Sequence, residues 1–154
     1  MGKSVNRVRA AAEGLGLDIE LREMEASTRT AAEAAAACGC EVNQIVKSLI
    51  FSGADGTLVL LLVAGGNRVD PEIAAAACGT ALGRADPAEV RRRTGFAIGG
   101  VSPIGHLEAP RVFMDPTLMG FDTVWAAAGA PNAVFRVAPA ALVAATGAVV
   151  TPLG

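Results

Sequence analysis

The chain has 154 residues, enough for one domain with a sizeable core, and 52% of them are hydrophobic against 18% charged. A net charge of −2 and a pI near 5.4 exclude a protein that grips long stretches of nucleic-acid backbone, because that affinity comes from Lys and Arg neutralising phosphates; a small local contact is still allowed, and no DNA partner is expected. Mean hydropathy is high at +0.45, yet the longest apolar runs, Thr57 to Ala64 and Thr123 to Ala128, are strand-sized and far below the ~20 residues of a membrane span.

The N-terminal stretch carries Lys3, Ser4, Asn6, Arg7 and Arg9 rather than a signal-peptide core, so the expected compartment is cytoplasmic, with no membrane partner. Ser4 is positioned to cap a first helix with Val5, Val8, Ala12 and Leu15 on one stripe. Asp18 to Met24 alternates as a half-buried strand does. Thr30 and Glu33 form a capping box opening an alanine-rich helix that Gly39 closes. Ile45 to Phe51 and Thr57 to Ala64 read as a hairpin around a glycine-containing loop. Asp70-Pro71 and Asp86-Pro87 each put a capping aspartate before a proline at the first helical position, with Gly79 and Gly95 at the far ends. Arg111 to Met114, Thr123 to Ala128 and Ala133 to Val137 are short apolar segments, and a last helix runs from near Pro139 to Gly147. Without a strict βαβ rhythm, these elements predict one α/β domain spanning 1–154 with a mixed sheet.

Four glycines, one proline and the only histidine fall between Thr94 and His106, with no charged side chain until that histidine. Glycine frees the backbone and proline fixes it, so Gly99, Gly100, Val101, Ser102, Pro103 and Gly105 read as a ligand floor made of main-chain amides. The segment is neither a G-x-S-x-G elbow, since Ile104 stands where the second glycine belongs, nor a dinucleotide fingerprint, and no Walker motif occurs. For His106 two readings stand side by side: a loop histidine bonded to backbone, or a ligand contact or proton-transfer group. Lys47 has two as well. An ammonium on an apolar strand needs water, a carboxylate or a ligand, or else it guards a strand edge. Arg91 to Arg93 read as a solvated helix end. Cys38, Cys40 and Cys78 with one distant histidine make a poor zinc set, and they read as small apolar residues near helix ends. Gly129-Ala130-Pro131-Asn132 and Asp115-Pro116 read locally as a turn and a helix cap.

Taken in order, Val46-Lys47-Ser48-Leu49, Gly99 to His106, Val112 to Asp115, and Asp122 to Trp125 with Ala128 to Asn132 resemble the YbaK/EbsC family. That superfamily holds the prolyl-tRNA synthetase editing domain and its free-standing relatives, and the nearest likeness is to a free-standing deacylase of the ProXp-x type. The resemblance implies a mixed, barrel-like sheet flanked by helices, with a cleft for the 3′ aminoacyl end of a tRNA. It implies metal-independent hydrolysis, in trans, of the ester on mischarged proline tRNA, with prolyl-tRNA synthetase as a candidate partner and no cofactor. Lys47 would be the catalytic lysine, anchoring the terminal nucleotide or polarising the ester, and the Gly99 to Pro103 loop the aminoacyl cradle. Ser48, Gly105, His106, Asp115, Gly129 and Asn132 complete the implied binding set. Relatives that remove alanine carry a histidine where this chain reads Gly129 to Asn132, so the choice among alanine, 2-aminobutyrate, serine, threonine and cysteine stays open. A binding module without catalysis, or a small-ester hydrolase with no RNA partner, are the rival readings.

Overall fold

The computed structural model describes residues 2–25 and 30–154. Its sheet is built around β2 (Ile45–Gly53) and β3 (Leu58–Ala64), an antiparallel hairpin in register from Val46 opposite Ala64 to Ser52 opposite Leu58. β3 then takes β5 (Arg111–Met114) in parallel, and β5 takes β8 (Val149–Val150). On the other side, β2 pairs in parallel with β6 (Val124–Ala127), which leads antiparallel through β7 (Ala133–Val137) to β1 (Glu20–Glu23). β4 (Leu82–Arg84) adds to the far end of β2 on that same edge. The sheet is mixed and eight-stranded, with five α-helices among the described residues.

β3 explains the apolar composition. No residue of it is more than 2% exposed, because both faces of the sheet are covered. Leu60, Leu62 and Ala64 enter one core with Val46, Met114 and Phe135, while Val59, Leu61 and Val63 enter a second with Ala74, Cys78 and Phe113. A third cluster joins Ala34 and Ala35 to Ile45, Trp125 and Val134.

The helix caps form as read, except that the Thr30–Glu33 box is one-sided, Thr30 accepting from the Glu33 amide with no return bond from the Glu33 side chain. Thr30 caps α2 (Ala31–Cys38), Asp70 caps α3 (Pro71–Cys78) and Asp86 caps α4 (Pro87–Thr94), each through its side-chain oxygen. Gly39, Gly79, Gly95 and Gly147 end α2, α3, α4 and α5 (Pro139–Thr146) in the left-handed conformation.

Helix α1 (Lys3–Gly14) corrects two expectations. Its cap position is Gly2, so Ser4 lies inside the first turn and caps nothing. Leu15 is 50% exposed, and Leu17 completes the stripe instead. Gly16, at φ +65°, folds the chain back so that the Leu17 amide reaches the Ala12 carbonyl at 2.9 Å, which carries Leu17 inward and leaves Leu15 outside. β4 and β8 went unread because three and two residues show no alternation.

If burial on both faces of β3 carries the fold, Leu61→Ala should cost about 2–5 kcal/mol in urea unfolding and Asp86→Ala only about 1 kcal/mol. Equal losses would contradict the assignment.

Candidate functional site

β2 gives its full length to β3 but shares its other edge, β6 taking Ile45 and Val46 and β4 taking Phe51 to Gly53. Both neighbours turn away, β6 before Gly129 (φ +94°) and β4 toward the start of α4, so the stretch from Lys47 to Ile50 borders an opening. A cavity of about 370 Å³ fills that opening. Its walls come from β2 (Lys47, Ser48), from the glycine loop (Ile98, Gly99, Val101), from β6 (Trp125) and from the foot of α2 and the 127–130 turn.

Lys47 donates to the Asn67 carbonyl at 2.5 Å, which occupies one of its three ammonium donors. Burial and the nearby Arg68 charge lower its pKa, and Asp115 opposes them. Asp115 itself is 7% exposed and bound on both oxygens. Oδ2 accepts from the Ala64 amide (3.1 Å) and the Asn67 side chain (2.9 Å), and Oδ1 from the Thr117 amide (2.9 Å). Burial alone would raise its pKa, but these donors hold it below the usual carboxylate range. Asp115 therefore braces the Asn67 turn on which Lys47 rests, and it lines a neighbouring cavity with Arg68 and Thr117 rather than the Lys47 cavity.

The glycine loop divides into two parts. Ala97 to Gly100 is a turn closed by the Gly100 amide on the Ala97 carbonyl (3.0 Å), with Gly99 at φ +96° and open space where a side chain would stand. The Ile98, Gly99 and Val101 amides find no acceptor among the described residues. A Cβ on Gly100 would lie 3.1 Å from the Ala130 backbone, so only glycine lets this turn press against the 127–130 turn. Beyond Val101 the chain enters the core: Ser102 is fully buried, its hydroxyl accepts from the Ile104 amide (3.2 Å), and Ile104 joins the main cluster.

His106 stands apart from the Lys47 cavity. It packs edge-on against Phe96 with centroids 5.2 Å apart, and its Nε2 donates to the Ser102 carbonyl at 2.6 Å. Burial lowers its pKa, the Ser102 bond working against that and Arg7 adding to it. Pro103, Gly105 and His106 line a separate hollow with Ile104, Pro110 and Val112. Gly129 sits against the Ser4 backbone, 2.9 Å from its would-be Cβ, and the Asn132 side chain bonds the Met24 carbonyl at 3.3 Å. Of the expected residues, Lys47, Ser48, Gly99 and Val101 meet in the cavity and Gly100 backs it, while Pro103, Gly105 and His106 line the separate hollow, Asp115 lines the neighbouring cavity, and Ser102, Gly129 and Asn132 line none of the three.

Sequence reading missed the residue that fixes the loop. Arg7, on α1, donates through Nε to the Gly105 carbonyl and through Nη2 to the Gly95 carbonyl, both at 2.8 Å, with its guanidinium 4.6 Å above the Phe96 ring. One planar cation thus ties both ends of the glycine loop. It lies in an amphipathic helix far away in sequence, where nothing marks it. The cysteines supply no thiolate there: burial, with the neighbouring Cys40, pushes the Cys38 thiol up to about 11, and Cys40 and Cys78 are also raised by burial. No group of His, Cys, Asp and Glu with metal-site geometry occurs among the described residues.

The profile of the aminoacyl-tRNA editing domain matches residues 25–145. A crystal structure of a proposed trans-editing enzyme for prolyl tRNA synthetase is 49% identical, superimposes with a TM-score of 0.94 and is covered over 98% of its length by 99% of this chain. The hypothetical protein APE2540 is 32% identical with a TM-score of 0.88, over 96% of this chain and 98% of that one. Protein YwhH of Bacillus subtilis (strain 168) is 34% identical over 101 residues, which span 66% of this chain and 64% of that protein.

Two outcomes follow from this geometry. Arg7→Ala should lower stability by about 2–4 kcal/mol in urea unfolding, since it orphans two carbonyls bonded to a charge, and Arg7→Lys should recover only part because it lacks the planar fork. A loss within about 0.5 kcal/mol would show that the loop holds itself. Asp115 has a depressed folded-state pKa, so its stabilisation is complete above its unfolded value of about 3.9 and disappears as pH falls through the folded value. Wild type should therefore lose its advantage over Asp115→Asn below about pH 4, and a pH-independent gap would contradict the bracing role.

Proposed function

The chain belongs to the aminoacyl-tRNA editing domain family, and on that premise we propose that it is a trans-acting deacylase that clears mischarged tRNA. Its substrate is the ester between a small wrong amino acid and the terminal ribose, proline tRNA is the carrier, and the cytoplasm is where it works. The observation that carries this reading is the meeting of Lys47, the unpaired amides of the Ala97 to Gly100 turn and an apolar floor in one cavity.

In ester hydrolysis, water adds to the carbonyl carbon, an oxyanion forms, and the bond to the ribose oxygen breaks. The ribose hydroxyl leaves with its proton, giving free amino acid and tRNA. The cavity meets the central demand, stabilisation of the oxyanion, with preorganised N–H groups and the Lys47 ammonium in a partly desolvated space. Lys47 is the only titratable side chain among the described lining residues, so the substrate's own vicinal ribose hydroxyl relays the proton, accepting it from the attacking water while passing its own to the departing ribose oxygen; in a cysteinyl ester the thiol attacks the carbonyl instead, its proton going to the departing ribose oxygen and water then opening the thiolactone. His106 and Asp115 serve as structural supports. The small alanine and valine surfaces at Ala34, Ala126, Ala127, Ala130 and Val134 favour a short side chain. Because a methylene is worth only ~1–3 kcal/mol in such a pocket, activity should extend over alanine and 2-aminobutyrate with graded rates. The trans-editing role proposed for the 49% identical protein, alongside prolyl tRNA synthetase, supports proline tRNA as carrier.

The test is deacylation of proline tRNA charged with alanine, 2-aminobutyrate, serine, threonine, cysteine or proline. Wild type should release at least one small amino acid faster than buffer and spare proline, and Lys47→Ala should lower that rate by roughly 100-fold with folding intact. No acceleration over buffer for any charge would refute the deacylase. Unchanged rates in Lys47→Ala would remove the lysine from the mechanism.

A further inference from the structure

The β-register determines which way the main chain of β2 points. The Asp115 amide donates to the Leu62 carbonyl (2.8 Å) and the Ala64 amide to the Asp115 carboxylate, so the even residues of β3 turn their polar groups toward β5. Because N–H and C=O of one strand residue leave on the same side and alternate along the chain, Val63 and Leu61 are the residues that bond to β2, through Lys47 and Leu49 opposite them. Val46, Ser48, Ile50 and Ser52 therefore direct their main-chain groups to the opposite edge. There Val46 meets β6 and Ser52 meets β4, while Ser48 and Ile50 face the opening with no strand beside them. Ser48 lines the cavity, and its hydroxyl is buried without a partner among the described residues.

An extended residue laid against such an edge exchanges two hydrogen bonds with the residue opposite. An aminoacyl ester presents the same pair of groups, an amine that donates and a carbonyl that accepts, on adjacent atoms. We propose that the substrate's aminoacyl group binds as a one-residue strand on the open edge of β2, its α-amine donating to the Ser48 carbonyl and its ester carbonyl accepting from the Ser48 amide. This rests on the deacylase reading. The opening between β6 and β4 leaves two outward-facing residues, Ser48 and Ile50, and only Ser48 lines the cavity, which suits a single aminoacyl group. No carboxylate lines the described cavity, and a main-chain carbonyl accepts from the amine in either protonation state. The Ser48 amide also stands where it can follow the carbonyl oxygen as it gains charge, alongside Lys47. The substrate class that follows is esters with a free α-amine, and N-acylated esters bind more weakly because acylation removes the amine's charge and all but one of its donors.

The probe is 3′-amino-3′-deoxyadenosine carrying alanine through a stable amide, compared with the propionyl analogue that lacks only the amine. In the free protein, the Ser48 amide should exchange with solvent faster than the Lys47 and Leu49 amides. The alanyl analogue should shift the Ser48 amide resonance and slow its exchange, and the propionyl analogue should bind at least roughly 10-fold more weakly. Equal affinity for the two analogues, an unmoved Ser48 amide at saturation, or binding of neither would overturn the proposal. The two readings separate cleanly. A shift at Ser48 with inactive charged-tRNA assays keeps the subsite and removes the deacylase, and active assays with an unmoved Ser48 do the reverse.

Discussion

Strand β2 cannot pair along both edges, and most of what this protein has for a site follows from that. β3 takes one edge completely, while β6 and β4 arrive from opposite ends of the other and stop short of each other. A gap in a sheet normally exposes main chain to chance pairing. Here the gap is bordered by the Ala97 to Gly100 turn and the foot of α2, so it becomes an open recess lined by backbone groups and by Lys47. Arg7 keeps the glycine turn in place by tying both ends of the loop, and Asp115 keeps the lysine side by bracing the turn that receives Lys47. Neither residue needs to touch a substrate to matter.

Much of the fold was legible because its signals are local. Asp70, Asp86 and Thr30 each satisfy orphan helix amides with their own side chains, so the sequence carries the instruction in three or four residues. The hairpin of β2 and β3 was readable from its glycine-containing loop and continuous apolar run. The start of α1 was not, since Ser4 has the right chemistry two residues too late and Leu15 yields its place to Leu17 through a backbone turn at Gly16. β4 and β8 are too short to show a period, and they pair only because longer strands offer them an edge.

The site was legible in its centre and opaque in its frame. Lys47 and Gly99 stand out as a charge and a glycine among apolar neighbours, and the structure brings them to one cavity. The rest of the glycine loop looked equally ligand-facing from composition alone. After Val101, however, the chain turns inward, and Ser102, Ile104 and His106 spend their bonds and surfaces on the core. Sequence cannot reveal which half of a loop faces outward when tertiary packing by Phe96 and Arg7 decides it. The strand edge at Ser48 was equally hidden, because an unpaired main-chain group leaves no trace in residue type.

The central claim is that catalysis occurs between β2 and the glycine turn, by positioning and main-chain polarity. The most direct measurement is a crystal structure with a terminal-adenosine analogue carrying a small amino acid through a stable amide. The aminoacyl group should lie between Ser48 and Gly99, with its carbonyl oxygen within hydrogen-bond distance of Lys47 Nζ or the Ser48 amide. An aminoacyl group seated in the His106 hollow, or in the Asp115–Arg68 cavity, would contradict it.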